Sequence, residues 1–347
     1  MTRHIQIFYF SGTGNSRSVA TWLQRTLSED GANVSLKAIA DWLKTPEQVV
    51  TTGSDIVLCY PTHGFNAPPI LYHFLNRIPR GKSAVYLVNT RAGLLLGKWN
   101  IPGLSGIALL WPAILLRLKG YSIKGMRSVD LPSNWMSLHP AIREKTTGKL
   151  LERWKPKVEH IAQKILLRKR NYSGYISFPV DMLVAPISVL YYAFGRFALS
   201  KTFFASANCD ACELCVKHCP VGAIRMKGGR PYWTMRCESC MHCMSICPTH
   251  AIETPHLWIA IIWSGFFMLI SLVVSHSPLL TRVWALDGWK GESLRLLVFC
   301  ILGYPFLWLS YLLLHWLLGI PIVRRFFTLT SLTHLRFWKR YKNPRPR

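Results

Sequence analysis

Residues 209–248 read CDACELCVKHCPVGAIRMKGGRPYWTMRCESCMHCMSICP. Cys209, Cys212, Cys215 and Cys219-Pro220 recur as Cys237, Cys240, Cys243 and Cys247-Pro248, so a C-x2-C-x2-C-x3-C-P run is written twice at a constant offset of 28 residues. The same offset carries Ala223-Ile224 onto Ala251-Ile252, and the unit is therefore a duplicated loop with a short helix. Zinc is disfavoured, because it usually takes two C-x2-C knuckles without a third Cys and a Cys-Pro. A disulfide framework is expected behind a secretory leader, which the first residues do not spell.

The doubled motif resembles that of bacterial-type ferredoxins with two 4Fe-4S clusters. By that resemblance ligation is crossed: three closely spaced thiolates grip three corners of a cube, and the fourth, followed by Pro, turns to the other cluster. Cluster one is expected on Cys209, Cys212, Cys215 and Cys247, and cluster two on Cys237, Cys240, Cys243 and Cys219. Ile224 and Ile252 are expected to close a dry wall round the cubanes, joined by His218, Met226, Trp233 and Met244. Soluble ferredoxins of this type are typically acidic. Here Lys201, Lys217, Arg225, Lys227, Arg230 and Arg236 outnumber Asp210, Glu213, Glu238 and Glu253, so the expected partner is an acidic carrier or lipid.

Upstream, residues 4–10 alternate and are rich in Ile, Phe and Tyr, stop at Ser11-Gly12-Thr13-Gly14-Asn15-Ser16, and are followed by Val19, Ala20, Leu23 and Leu27 at helical spacing. Strand, glycine loop and helix follow in that order. The loop lacks the Gly-Lys-Ser/Thr of a P-loop and the spaced glycines of a dinucleotide fingerprint. It resembles the phosphate loop of flavodoxins, where hydroxyls and backbone N–H groups at a helix N-terminus surround a phosphate without Lys. Ser11, Thr13, Asn15 and Ser16 would by that resemblance hold the phosphate of FMN, with Gly14 allowing close backbone approach. Residues 34–38, 56–60, 83–89 and 121–130 read as strands two to five, which implies a flavodoxin-like α/β fold with a parallel sheet in the order 2-1-3-4-5 and a crevice at the carboxyl ends of its strands. Thr62, His63, Gly64 and Phe65 occupy one expected ring-binding loop, and Asn89, Thr90, Arg91 and Gly93 the other. Arg91 is read either as solvated or as a cation near the flavin. Residues 104–118 are read as a buried fourth helix, and 141–170 as a basic helix drawn to anionic lipid beside a membrane.

Half of the 347 residues are hydrophobic, and 42 Lys and Arg face 16 Asp and Glu, for a net charge of +26. The surface must meet something anionic, and the absence of any finger or RNA-binding signature argues against nucleic acid. Cys59 and Cys300 are read as small buried hydrophobes. Two uncharged runs, 257–275 and 296–323, are long enough to cross a bilayer of about 30 Å, the second broken by Pro305. Arg282, Lys290 and Arg295 between the runs are offset by Asp287 and Glu292. Arg324, Arg325, Arg336, Lys339, Arg340, Lys342, Arg345 and Arg347 follow with no acid. The positive-inside rule puts this tail and both cofactor domains on the cytoplasmic side of a bacterial inner membrane. Trp258, Trp263, Trp308 and Trp316 are read as interface anchors. His276 and His315 are candidate haem ligands or quinone contacts.

The expected organisation is a flavodoxin-like domain (1–171), an apolar interfacial linker (172–204), an α+β two-cluster ferredoxin domain (205–255), a transmembrane hairpin (256–323) and a basic tail (324–347) that supplies docking rather than chemistry. The whole resembles flavodoxin–ferredoxin fusion proteins over about residues 1–252. That resemblance implies electron transfer between an acidic carrier, such as a ferredoxin or flavodoxin, and a membrane redox protein. Two alternatives are a flavin-dependent reductase acting on a quinone or other small substrate, and a redox-sensing subunit of a membrane complex. No general acid and no nicotinamide site is visible in the sequence.

Overall fold

The computed structural model describes residues 2–46, 53–96, 99–200 and 202–341. Lys201 and the last tail cations, Lys342, Arg345 and Arg347, lie outside them.

In chain order the first domain comprises β1 (His4–Tyr9), α1 (Asn15–Glu29), β2 (Asn33–Ala38), α2 (Ile39–Lys44), β3 (Ser54–Pro61), α3 (Pro69–Arg77), β4 (Ala84–Leu96), β5 (Trp99–Ile101), α4 (Leu110–Leu118), β6 (Ser122–Pro132) and α5 (Glu144–Leu166). The parallel order is β2-β1-β3-β4-β6, the flavodoxin-like arrangement, with β5 folded back antiparallel on β4. Alternate strand residues point to opposite faces, so each strand feeds two cores. Phe8, Leu58 and Tyr60 pack with Leu71 and Phe74 on one face. Ile7, Val57 and Cys59 pack with Leu23, Trp154 and Val158 on the other.

Three expectations shift. β4 runs on to Leu96 and pairs Arg91 with Asp130 and Gly93 with Pro132, so residues 89–93 are strand and not a free loop; an extended β6 gives them backbone partners. Residues 104–118 yield only the nine-residue α4, whose Trp111 and Leu118 are exposed. The linker, expected from its apolar run at 182–204 to be one interfacial helix, instead starts with α6 (Phe178–Leu183), turns at Val184 where Pro186 lacks an N–H, and continues as α7 (Ala185–Leu190), a π turn (Tyr191–Gly195) and α8 (Arg196–Ser200).

The second domain contains β7 (Phe204–Ala205), α9 (Leu214–Lys217), β8 (Ile224–Lys227), β9 (Arg230–Trp233), α10 (His242–Ile246) and β10 (Ile252–Glu253). β7 pairs with β10, and the β8–β9 hairpin turns through Gly228 and Gly229, both at positive φ. The sequence repeat is also a conformational one. Ala211 and Glu213 take left-handed φ values of 56° and 58°, and Ser239 and Met241, their counterparts, take 51° and 60°. Gly222 and His250 are a third matched pair, at 58° and 54°.

α11 (His256–His276) and α13 (Gly288–Leu317), joined by α12 (Pro278–Ala285), are long and apolar enough to cross a membrane, and only 11% of the apolar window of each is buried. A soluble core helix would be mostly covered. α13 runs straight through Pro305, which forfeits one backbone bond without ending the helix. Cys300, on α13, is half-buried, unlike the fully buried Cys59. The second apolar run, expected over 296–323, ends as a helix at Leu317, and α14 (Pro321–Leu329), which straddles the expected start of the basic tail, carries Arg324 and Arg325 and exposes Ile322, Phe326 and Leu329, the pattern of a helix lying in a membrane interface. Trp263, Trp308 and Trp316 are exposed, while Trp258 packs edge-on to Phe327. His276 ends α11 and His315 nearly ends the returning α13, so they lie at opposite ends of the hairpin and do not share one haem. His315 instead packs against Tyr232 and Tyr311.

Candidate functional site

A cavity opens at the carboxyl ends of β1, β3 and β6, beside the middle of β4. Ser11, Asn15, Ser16, Thr62, His63, Gly64, Thr90 and Arg91 line it. α1 starts behind Gly14 (φ 108°) with no side-chain cap and no acid in its first turn, so its N-terminal N–H groups and positive dipole end favour an anion. The Gly14 N–H donates to Ser11 Oγ (3.0 Å), the Ser16 and Thr90 hydroxyls meet at 2.7 Å, and Asn15 Nδ2 donates to the Pro132 carbonyl (2.9 Å).

Thr13, Gly14, Phe65, Asn89 and Gly93 are not among the cavity-lining residues. Thr13 accepts from the Asn134 amide, and with Gly14 it borders a neighbouring cleft beside Lys217 and His242. Asn89 is buried and donates to Thr62 Oγ1 (2.7 Å) and Ser105 Oγ (3.1 Å), holding the cavity wall from behind. The Phe65 carbonyl accepts from the Ile107 N–H (3.0 Å), and Gly93 packs on Asp130.

Arg91 is neither solvated nor a free cation. Its Nε donates to Asp130 Oδ1 at 2.7 Å with both side chains buried, so the carboxylate offsets the charge presented to the cavity. Burial pushes the His63 imidazole down to about 4, which leaves it neutral at physiological pH. Among the described residues, His63 Nδ1 and Ser239 Oγ, both on lining residues, have no hydrogen-bond partner, as expected of a wall built for a polar ligand. The site fits a flavin.

Several walls were not foreseen. Trp135, just beyond β6, and Tyr191, in the linker, stand edge-to-face at 5.9 Å, and Tyr191 lies so close over Gly64 that any Cβ there would overlap its ring. Together they give the cavity an aromatic wall. Ser239, Cys240 and Met241 complete the cavity from the ferredoxin domain. No local signal marks Tyr191 or Met241, because each is brought in from a separate element.

Cys209, Cys212, Cys215 and Cys247 line one small cavity, with Met226 and Ile252. The Cys215 thiol is pushed up to about 11, first by burial and then by Cys209 and Cys247 beside it. Cys243 is raised by burial, then by Cys237, with Cys219 also near. The duplicated geometry extends to hydrogen bonds: the Ala223 N–H donates to Cys219 Sγ (3.2 Å) and the Ala251 N–H to Cys247 Sγ (3.3 Å). Among the described residues no three His, Cys, Asp or Glu side chains converge as ligands of one metal ion would. Thiolates at the corners of a cubane stand further apart. Ile224, Trp233, Met244 and Ile252 form the buried wall, whereas His218 is exposed and does not belong to it. Glu238, counted above as a surface acid, is buried beside Arg196 and the Ile70 backbone N–H, and burial pushes it up to about 8.

The two domains meet at the loop of residues 11–16. Gly12 packs so tightly on the Cys240 carbonyl that a Cβ would overlap it, and His242 Nδ1 lies 2.6 Å from the Gly12 carbonyl oxygen. Gly12→Ala is therefore expected to cost about 1–3 kcal/mol of overpacking, concentrated at this contact. Limited proteolysis should cut the linker faster in this variant, and an unchanged cleavage rate would show that the contact is not needed for docking.

The tail returns to the same junction. Glu253 is buried and meets Arg340 and His334, each at 3.4 Å, and the Thr333 hydroxyl. Arg340 also donates to the Ile252 carbonyl (2.8 Å), and Trp338 Nε1 to the Met136 carbonyl (2.6 Å). Tyr341, 2% exposed, donates its hydroxyl to Asn15 Oδ1 at 2.5 Å. This part of the expected basic tail is thus threaded between the cofactor domains, because buried carbonyls and Glu253 give Arg340 better partners than water.

Residues 208–252 match the 4Fe-4S dicluster domain family. Among solved structures the chain is similar to a flavodoxin from the domain Archaea (13% identity over 47% of this chain and 98% of that chain, TM-score 0.31). It is also similar to a Streptococcus pneumonia TIGR4 flavodoxin (16% identity over 46% and 99%, TM-score 0.30) and to an azoreductase from Bacillus anthracis str. Sterne (10% over 47% and 100%, TM-score 0.32). No curated protein matches the sequence. The sheet order and the matched motif make the chain a flavodoxin-like domain fused to an iron–sulfur ferredoxin domain. A flavin-type cavity walled by an iron–sulfur domain is an arrangement for electron transfer.

Proposed function

We propose that the protein is a membrane-anchored relay in which two 4Fe-4S clusters and FMN pass electrons between a soluble low-potential donor and a membrane partner. One observation carries this reading: Cys240, a ligand of cluster two in the crossed assignment, lines the same cavity as Ser11, Asn15 and His63. Bound FMN supplies the conversion between one- and two-electron chemistry. The α1 N-terminus with Ser11, Asn15 and Ser16 holds its phosphate, and Thr62, His63, Gly64, Thr90 and Arg91 frame its ring. Trp135 and Tyr191 keep water out. Cys209, Cys212, Cys215 and Cys247 hold cluster one; Cys237, Cys240, Cys243 and Cys219 hold cluster two. α11 and α13 span a bacterial inner membrane, and the uncompensated Arg324, Arg325, Arg336 and Lys339 favour the cytoplasmic side for both cofactor domains.

One observation favours the alternative, a flavin-dependent quinone reductase. Tyr191 belongs to the linker, which packs Phe194 and Phe197 on Tyr304 of α13 and exposes Leu183, Ile187 and Leu190, so the cavity wall reaches an apolar surface.

Anaerobically prepared protein is expected to hold about eight iron per chain and one FMN, not FAD, since the loop offers one phosphate site. Dithionite or a reduced acidic ferredoxin should reduce both cofactor types, and NADH or NADPH alone should not. Stoichiometric FAD, or no flavin in any preparation, removes the relay reading. NADH-driven turnover of a quinone without a second protein replaces it with the enzyme.

A further inference from the structure

A cleft of about 650 Å³ lies where α2, α3 and α8 approach the ferredoxin domain, lined by Lys44, His73, Arg77, Arg196 and Arg236. Cys237, assigned to cluster two, lines it, as does Pro220, the neighbour in sequence of the assigned ligand Cys219. We propose that this cleft is the docking site for a small acidic electron-carrier protein that exchanges electrons with the cluster held by Cys237. The proposal rests on the relay reading above and adds where the carrier sits.

In a chain of net charge +26, basic residues alone select nothing. Concavity, sign and reach coincide here. Lys44, Arg77 and Arg236 are exposed, and Arg196 is held half-buried over the rings of Tyr192 and Phe197, 4.3 Å from each centroid. Among the described residues the acid lining the cleft, Glu238, is buried at its back, and although the exposed Asp41, 3.7 Å from Lys44, partly offsets that charge, Arg77 and Arg236 meet an arriving surface as cations. Exposed Met235 adds the apolar contact that interface centres use between polar rims. The mouth of the other cysteine cavity differs in sign, since Asp210 and Glu213 line it beside Cys209 and Cys212 and would repel an acidic carrier. A flat bilayer surface matches a cleft between two domains poorly, and a membrane is kept as an outcome of the test. The step is a single outer-sphere transfer: the carrier's reduced centre loses one electron, the cluster gains it, and no atom or proton moves between them.

The test uses the full-length holoprotein carrying Lys44→Glu with Arg77→Glu, and as a control Lys217→Glu with Lys227→Glu on the ferredoxin surface outside the cleft. Stopped-flow reduction by a purified, prereduced acidic two-cluster ferredoxin is followed at low and high salt, with dithionite reduction and binding to vesicles containing anionic lipid measured alongside. A cleft lined by one sign of charge raises the encounter rate with an oppositely charged partner by roughly 10–1,000-fold. The cleft variant is expected to react at least tenfold more slowly at low salt, to approach the parent at high salt, and to keep dithionite reduction unchanged, while the control stays close to the parent. Equal slowing in both variants, or none in the cleft variant, overturns the docking site. So does loss of vesicle binding with the ferredoxin rate intact, which would make the cleft a lipid site. If dithionite reduces no cluster in the parent, the relay reading itself fails, a result independent of the cleft.

Discussion

Cys219→Ser is expected to remove the cluster whose other ligands are Cys237, Cys240 and Cys243, halving the iron and leaving the cluster of Cys209, Cys212 and Cys215. In sequence Cys219 belongs to the first motif. In space it lies near Cys240 and Cys243, while Cys247 lines the cavity of Cys209, Cys212 and Cys215. Electron paramagnetic resonance of the dithionite-reduced variant, with iron analysis, distinguishes the two sites. The opposite pattern, in which the first-motif cluster is lost and the second kept, would contradict crossed ligation. Cys247→Ser provides the reciprocal measurement. It is expected to spare the cluster that borders the flavin cavity through Cys240.

The second large effect concerns the far end of the chain. Ending the protein after Leu329 should release most of the flavin at micromolar concentration, although every residue expected from the sequence to hold it remains. The truncation removes Trp338 and Tyr341, both buried against Met136, and the Tyr341 hydroxyl bonded to Asn15. Tyr341→Phe isolates the last of these. Losing this one hydrogen bond of the Asn15 side chain costs about 0.5–1.5 kcal/mol. At 1.4 kcal/mol per factor of ten, the part of that loss borne by the flavin-bound state weakens flavin binding by up to roughly tenfold. Fluorescence of released flavin on dilution reads the change. Retention equal to the parent in both variants would show that the strap closes the junction without supporting the phosphate loop. A tail that only docked on lipid would leave flavin binding untouched, which is why this measurement separates the structural result from the sequence expectation.

Legibility followed the range of the interactions. The strand–loop–helix at residues 4–29 is visible because alternation, glycine and helical periodicity lie within one window, and β1 and α1 form there. β4 was read too short. Its extension past Asn89 depends on pairing with β6, some forty residues on, and on Asp130 to neutralise Arg91. Pro305 looked like a break by composition, yet one missing N–H is a small loss within a thirty-residue helix. Arg340 counted as a tail charge, and only the position of Glu253 shows that it is an internal anchor.

The sequence by itself determined the duplicated cysteine motif, the strand–loop–helix at residues 4–29 and the two long apolar runs, because each is encoded by spacing within a few turns of chain, while the strand order was implied by the resemblance to flavodoxins. Even the paired left-handed residues, Ala211 with Ser239 and Glu213 with Met241, follow from that repeat. The tertiary structure alone decided that Gly12 touches Cys240, that Tyr191 covers Gly64, and that Tyr341 reaches Asn15. These contacts join residues more than a hundred positions apart. Their partners are specified by how the domains pack and by which buried polar atoms need satisfying, and no local pattern records either.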